Sequence, residues 1–144
     1  PLVTGEKPLG NLRAIIKAIK KDYYFRIGKG EAKKSIIAAS DVANLIPELF
    51  NLNGVYNLTD VNHPMISEID SIIAKKFNKK IKSIPIQLIK VIAKIGDIFY
   101  FFPFNSSKFE KLTKNLTFSN KKLLNEVKYM PSRGLLEIEG NLNN

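Results

Sequence analysis

The apolar residues of this chain recur mainly at helical spacing, and the extended segments between them are at most five residues long. Leu12, Ile15, Ile16 and Ile19 follow the i, i+3, i+4, i+7 pattern of one helix face and predict a helix that runs to about Lys21. Isolated short strands between helices do not build the continuous parallel sheet of a doubly wound fold. The chain is therefore predicted to be an α+β domain, mostly helices with short strands.

The other helices are predicted from the same helical spacing, and the strands from short apolar runs that end at turn residues. Pro1 to Val3 is expected to be the end of a strand that begins before this chain. Further strands are expected at Tyr23–Ile27, Ser35–Ala39, Val55–Leu58, Ile81–Ile84 and Leu116–Phe118. Further helices are expected to begin at Ser40 or Asp41, at Pro64, at Pro85, at Ser106, at Ser119 and after Pro131.

The composition bounds the class of protein. With 144 residues, of which 44% are hydrophobic and 25% charged, residues 1–144 are predicted to form one globular domain. The chain has no cysteine and a single histidine, His63, which excludes disulfides, thiol chemistry and a His/Cys metal site. His63 precedes Pro64 and is predicted to be a turn residue and not a catalytic one. The first eight residues lack the pattern of a signal peptide, so a cytoplasmic protein is expected.

The net charge of +10 leaves two interpretations open. One is an anionic partner, such as nucleic acid, phosphate or a membrane surface. The other is a solvated surface that is merely rich in lysine. Basic residues near Tyr23, Tyr24 and Phe25 would suit a nucleic acid, but no complete nucleic-acid-binding motif accompanies them. A basic nucleic-acid-binding module is therefore kept as an alternative function, and the prediction is that the chain has no nucleic acid partner.

The segment Ile84–Phe104 is long enough to span a membrane, but Lys90, Lys94 and Asp97 interrupt it. Each charge costs about 2.5–3.5 kcal/mol at the centre of an inserted helix, which argues against a transmembrane helix. The two lysines lie on one side of an apolar stripe, so a core helix followed by an exposed aromatic loop, Phe99–Phe102, is predicted. A helix lying at a membrane surface is the alternative.

The segment Gly28–Ser35 almost fits the phosphate-binding P-loop, G-x4-G-K-S, but Lys33 replaces its second glycine. That glycine lets backbone N–H groups curl around a phosphate, and a lysine with positive φ is costly. Gly5 and Gly10 have the glycine spacing but lack the Lys-Ser pair. A nucleoside triphosphatase is therefore not predicted.

Five segments, in this order, resemble motifs of the extended short-chain dehydrogenases that act on nucleotide sugars. They are Gly10–Leu12, Phe25–Gly30, Lys33–Ala43, Val55–Leu58 and Leu116–Pro131. The second and third together resemble a Gly-x-Gly turn followed by an arginine, a strand and an aspartate. The helix after Ile84 resembles a branch of the family in bacterial surface-polysaccharide synthesis, which includes 4-keto-sugar reductases and 4-epimerases.

The resemblance implies that the chain is the C-terminal substrate-binding part of an NAD(P)-dependent epimerase, dehydratase or reductase of nucleoside diphosphate sugars. The family binds its cofactor on a glycine-rich Rossmann turn and transfers protons with a Tyr-x3-Lys pair, and neither pattern occurs here. Tyr23 and Tyr24, for example, are followed four positions later by Ile27 and Gly28. The Rossmann domain, the NAD(P) site and the catalytic residues are therefore expected outside this chain, which alone should be inactive.

The resemblance also implies which residues contact the substrate. Lys34 stands where the family has an arginine that grips the diphosphate, and Asn11, expected to cap the first helix, would donate to the same group. Phe25 or Ile27 would flank the base. A second family arginine has no counterpart, and the nearest cations are Lys108 and Lys111. The substrate-binding residues implied are Asn11, Leu12, Phe25, Ile27, Lys34, Lys108 and Lys111.

The expected partners follow from the same resemblance. They are a nucleoside diphosphate sugar and the missing Rossmann domain. The isolated chain is expected to self-associate through one of two surfaces, the apolar surface that this domain would cover or the run Phe99–Phe102. Contact with a membrane surface is the less favoured expectation.

Overall fold

The computed structural model describes residues 1–99, 101 and 104–141, and within them seven helices and four short strands form an α+β domain. The strands form two parallel pairs, the first strand with the third and the second with the fourth. In chain order the elements are β1 (Leu2–Thr4), α1 (Gly10–Lys20), β2 (Phe25–Ile27), β3 (Ile36–Ala38), α2 (Ala39–Leu49), α3 (Ile66–Lys76), β4 (Lys82–Ile84), α4 (Ile86–Ile98), α5 (Ser106–Thr113), α6 (Lys121–Leu124) and α7 (Gly134–Asn141).

The main apolar core forms where α1, α3 and α7 meet the pair β1–β3. All three residues of β3 are buried, which matches the continuous apolar run expected of a parallel strand covered on both faces. Each fully buried leucine or isoleucine stabilises the fold by about 1.5–3 kcal/mol. The buried members of this core are Leu12, Ile16, Ile19, Ile36, Ile69, Ile73, Ala74 and Ile138.

Two buried carboxylates fix the beginning of α7. Oδ2 of Asp41 accepts the backbone N–H groups of Ser132 and Arg133, both at 2.9 Å. Oδ2 of Asp60 accepts the N–H of Gly134 at 2.9 Å. Together they satisfy amides at and just before the first turn of the helix, where negative charge also interacts favourably with the helix dipole.

Most of the predicted helices and strands are confirmed, but the predicted strand at Val55–Leu58 is wrong. This segment is irregular, and its backbone carbonyls and side chains bond to lysine and serine groups instead of to a neighbouring strand. The ammonium group of Lys122 donates to the carbonyl oxygen of Val55, and Asn57 donates to that of Ser119. A short run of apolar residues makes a strand only where a second strand is available to pair with it.

The predicted strand at Leu116–Phe118 is reduced to one bridge. Leu116 pairs in parallel with Lys34, and its neighbours do not continue the ladder. The amide of Phe118 instead donates to the side-chain oxygen of Ser35 at 2.7 Å. A side chain thus replaces the next backbone partner and ends the pairing.

Several helix starts differ from those predicted. Ser40 and Asp41 lie inside α2 and bond to the C-terminal part of the chain, so they do not cap it. Asn11 lies in the first turn of α1, whose N-cap is Leu9. The N-caps of α3 and α6 are Met65 and Asn120, each one residue after the residue predicted to begin that helix.

The prediction of a core helix for the segment after Ile84 is wrong for one face of α4. Its buried residues are Ala93 and Gly96, whereas several of its large apolar side chains are exposed. Phe99 and Phe101 are exposed as predicted, while Tyr100 and Phe102 lie outside the described residues. Among the helices described, none is long and apolar enough to cross a membrane.

Candidate functional site

A cavity of about 550 Å³ opens between the end of β2, the start of α4 and the end of α5. We call this cavity the groove. Its wall is mainly apolar and carries a few polar groups, the composition usual for small-molecule sites. The lining residues are Ile15, Tyr24, Phe25, Ile27, Gly28, Lys29, Gly30, Glu31, Ala32, Lys34, Ile66, Pro85, Ile86, Gln87, Leu112 and Thr113.

A tight turn at Gly28–Gly30 forms one edge of the groove. Both glycines have positive φ, 57° and 70°, a conformation that L side chains rarely adopt. At Gly30 a Cβ atom would lie 2.8 Å from Cδ of Arg26 and 3.1 Å from the amide nitrogen of Ser67. The carbonyl of Gly30 accepts that amide at 3.0 Å. Glycine is therefore required here for the chain to approach α3.

An ion pair fastens β2 to α3. The guanidinium of Arg26 donates to the buried carboxylate of Asp70 through Nε at 3.0 Å and through Nη2 at 2.5 Å. The hydroxyl of Tyr24 donates to the same carboxylate at 3.1 Å. Burial and the negative charge of Asp70 raise the pKa of Tyr24, while hydrogen bonding to Asp70 raises the pKa of Arg26. Because side chains alternate along a strand, anchoring Arg26 holds Phe25 and Ile27 on the other face.

Lys34 supports the groove from another side. Its ammonium donates to the carbonyl oxygens of Lys111 and Lys114, both at 2.8 Å, at the end of α5. These carbonyls have lost their helical partners, and a cation is favourable at a helix C-terminus. Only 8% of Lys34 is exposed, and burial lowers the pKa of its ammonium. An ammonium has three N–H donors, and the residues that the structure describes accept two of them, so the third is a donor for a further acceptor.

The structure brings together three of the residues implied by the motifs and leaves the other four elsewhere. Phe25, Ile27 and Lys34 all line the groove. Leu12 is 1% exposed and packs in the main core, whereas Asn11 is exposed on α1. The side chains of Lys108 and Lys111 are exposed on α5 and are not part of the groove wall.

The motifs do not identify several residues that build the groove. Arg26 is not part of the groove wall, but it holds Phe25 and Ile27 in place, and its partner Asp70 is 44 positions away. Lys29 was visible as the middle residue of the Gly-Lys-Gly turn. Leu112 and Thr113 carry no motif and reach the groove only because α5 packs against α4.

A second polar site surrounds Asp60. Burial raises the pKa of this carboxyl to about 6, helped by the charges of Asp41 and Glu137, while the bond from Gly134 acts in the opposite direction. Its other oxygen, Oδ1, is buried without a hydrogen-bond partner among the described residues. His63 lines a cavity with Asp60, yet no group of acidic, histidine or cysteine residues within the described ranges could hold a metal ion.

Comparison with known proteins places the fold. No protein-family model and no curated protein sequence matches the chain. Among solved structures, gox2253 is 15% identical with a TM-score of 0.70, and the match covers 98% of this chain and 46% of gox2253. The human epimerase family protein SDR39U1, solved with NADPH, is 15% identical with a TM-score of 0.65, and the match covers 97% and 46% of the two chains.

A reductase also matches nearly all of this chain over less than half of its own length. The dTDP-4-dehydrorhamnose reductase of Bacillus anthracis, solved with NADP, is 14% identical with a TM-score of 0.62, and the match covers 98% and 45% of the two chains. This chain has the fold of just under half of each protein. At such identities the likeness shows the fold alone, and it agrees with the predicted α+β class.

Proposed function

We propose that this chain is the substrate-binding part of an NAD(P)-dependent enzyme that acts on nucleoside diphosphate sugars as an epimerase, dehydratase or reductase. The observation that carries the proposal is the groove, in which Phe25, Ile27 and Lys34 converge beside the Gly28–Gly30 turn. The fold shared with an epimerase family protein and a reductase supports it.

The groove suits a nucleoside diphosphate in size and chemistry. Its volume of about 550 Å³ lies within the usual range for ligand pockets, roughly 300–1,000 Å³. Phe25 offers a flat apolar surface for the base, and stacking of a base on an aromatic ring is worth about 1–3 kcal/mol. The remaining N–H of Lys34 and the ammonium of Lys29 are donors for phosphate oxygens.

The proposal revises the substrate-binding residues. Phe25, Ile27 and Lys34 are kept, with Lys34 serving both to hold α5 and to contact phosphate. Asn11, Leu12, Lys108 and Lys111 lie outside the groove wall and are left out. Binding energy from the nucleotide would hold the sugar in place for chemistry performed by residues and NAD(P) elsewhere in a longer enzyme. A role in bacterial surface-polysaccharide synthesis belongs to the same proposal.

Titration of the isolated chain with nucleoside diphosphates tests the proposal. With UDP, dTDP and ADP as probes, NMR shift changes should concentrate at Phe25, Ile27 and Gly28–Gly30, with a dissociation constant that calorimetry can measure. Phe25→Ala should weaken binding roughly ten-fold because the stacking surface is lost. Tyr23→Ala is the matched control: this exposed aromatic residue lies two positions earlier and outside the groove.

The result that would contradict the proposal is equally specific. Either no nucleoside diphosphate binds at millimolar concentration, or Tyr23→Ala weakens binding as much as Phe25→Ala. Shift changes confined to residues outside the groove would contradict it as well.

A further inference from the structure

Helix α4 presents a line of large apolar side chains to solvent. Leu88, Val91, Ile95 and Ile98 are spaced i, i+3, i+7 and i+10, which puts them on one face of the helix, and Phe99 continues the line at its end. We call these five residues the α4 stripe. All five are exposed, Ile98 to 78% and Phe99 to 61%. Single exposed apolar residues are ordinary, but a contiguous set marks an interaction site.

The packing of α4 explains why the stripe faces outward. The helix packs against α5, and its buried residues are the small Ala93 and Gly96. Small residues let two helices approach closely but bury little apolar area. The large side chains of α4 are therefore left on the opposite side, with no partner element to cover them among the described residues.

Positive charge borders the stripe. Lys90 and Lys94 are exposed and lie one turn apart, on the line next to the stripe. The acidic residue of α4, Asp97, directs its carboxylate to the N-terminus of α5, where it accepts the amide of Ser106 at 2.9 Å and its hydroxyl at 2.5 Å. These hydrogen bonds lower the pKa of Asp97. The exposed border of the stripe is thus cationic, on a chain whose net charge is +10.

We propose that the α4 stripe docks on an anionic lipid surface, with the helix lying in the plane of the membrane. An amphipathic helix with one apolar face and lysines beside it has the chemistry that such surfaces bind. A second copy of the chain fits less well, because pairing two stripes would bring four lysines and two molecules of net charge +10 together. A lipid surface provides acyl chains for the stripe and acidic headgroups for Lys90 and Lys94.

Vesicle flotation tests this proposal with two matched pairs of variants. The wild-type chain should float with vesicles of phosphatidylcholine containing about 30 mol% phosphatidylglycerol, and poorly with phosphatidylcholine alone. Ile98→Ser with Phe99→Ser should reduce the partition coefficient at least about ten-fold, since two large apolar side chains are lost. The matched control is Val55→Ser with Phe50→Ser, which removes two apolar residues of 86% and 83% exposure elsewhere.

A second pair of variants, in which lysines are replaced, distinguishes the electrostatic contribution to vesicle binding from the apolar one. Lys90→Gln with Lys94→Gln should reduce the partition coefficient roughly 30-fold, since each lysine near an anionic surface contributes about 1 kcal/mol, which is about five-fold in binding. Lys17→Gln with Lys128→Gln removes the same charge from exposed positions elsewhere and should have a much smaller effect. Circular dichroism confirms that each variant is folded. If the serine variant does not fold, the lysine pair alone decides.

Three outcomes overturn the proposal. The first is the absence of flotation with anionic vesicles. The second is equal flotation with neutral and anionic vesicles, or equal losses in the stripe and control variants. The third is a stable dimer in light scattering that Ile98→Ser with Phe99→Ser converts to monomer, without any vesicle binding, which would make a second copy the occupant. Each leaves the nucleotide titrations of the groove unaffected, so the two proposals fail separately.

Discussion

The backbone amide of Gly134 donates to Oδ2 of Asp60 at 2.9 Å, across 74 residues of sequence. This bond joins the start of α7 to the segment that follows Thr59, whose hydroxyl donates to the carbonyl of Ile36 in β3. The carboxylate is 3% exposed, and its other oxygen is among the buried atoms that lack a described partner. The contact therefore holds the start of α7 in place and also keeps the carboxylate of Asp60 away from solvent. These two effects can be measured separately.

The buried charge predicts an unusual pH dependence. The pKa of Asp60 is raised to about 6 in the folded chain from an ordinary 3.8, so the folded state keeps a proton that the unfolded state has already lost. The free energy of unfolding should therefore fall as pH rises from about 4 to 6, by roughly 2–3 kcal/mol from this group.

Asp60→Asn keeps an acceptor for Gly134 and removes the charge, so it should be more stable than wild type at pH 8 and flatten the pH dependence. Urea unfolding at pH 5 and pH 8 measures this, with Glu126→Gln, an exposed acid, as the control. An Asp60→Asn variant that is less stable than wild type at pH 8 would show that the carboxylate is needed as a charge.

The close approach at Gly134 predicts a steric effect. A Cβ atom there would lie 2.7 Å from Oδ2 of Asp60 and 3.0 Å from Cγ1 of Ile36. Gly134→Ala should therefore reduce the free energy of unfolding by about 1–3 kcal/mol, as overpacking does in other cores. Gly140→Ala, in the same helix, meets nothing within 4 Å and should be neutral or stabilising by up to about 1 kcal/mol. Equal effects of the two substitutions in chemical denaturation would refute the steric account.

The ion pair between Arg26 and Asp70 predicts a large loss of stability when one partner is removed. Arg26→Met leaves the buried carboxylate of Asp70 with the hydroxyl of Tyr24 but without its cation. Such a change typically costs about 3–5 kcal/mol. The groove should also widen, because β2 loses its attachment to α3, and hydrogen exchange at Phe25–Ile27 should accelerate. Arg13→Met, at an exposed position of α1, should change stability by less than about 0.5 kcal/mol.

The proposal that another part of a longer enzyme binds the cofactor predicts that this chain does not bind NAD(H). Its sequence has neither the glycine-rich Rossmann turn nor the Tyr-x3-Lys pair. Calorimetry should detect no NADH or NADPH binding at micromolar concentration, while a nucleoside diphosphate serves as the positive control. Micromolar binding of either dinucleotide would require a new interpretation of the glycine turns.

The sequence predicts helices better than strands in this chain, for a physical reason. A helix closes its hydrogen bonds within itself, so the spacing of Leu12, Ile15, Ile16 and Ile19 is enough to place α1. A strand needs a partner that the local sequence does not specify. The segment Val55–Leu58 is apolar at three of its four positions but has no described strand beside it, and it bonds to Lys122 and Ser119 instead.

The sequence predicts the residues of the candidate site that belong to a local motif, but not their distant partners. The glycine turn and its flanking residues identify Phe25, Ile27 and Lys34, because their motif is local. The partners of Lys34 are carbonyl groups 77 and 80 residues away, and no side chain there signals the contact. The exposure of the α4 stripe depends on which face of α4 is buried. That face carries the small residues Ala93 and Gly96, and periodicity alone does not identify it.

The packing of α7 against β1 joins the last helix to the first strand of the described residues. Closing a loop of this length costs more conformational entropy than closing a short one, and parallel strand pairs add further non-local contacts. A growing polypeptide that stops short of residue 134 lacks Ile138 in its main core and leaves the carboxylates of Asp41 and Asp60 without the amides that they accept. We therefore expect the main core to stay incomplete until α7 is present, and removal of this single helix to leave an aggregation-prone intermediate in place of a smaller stable domain.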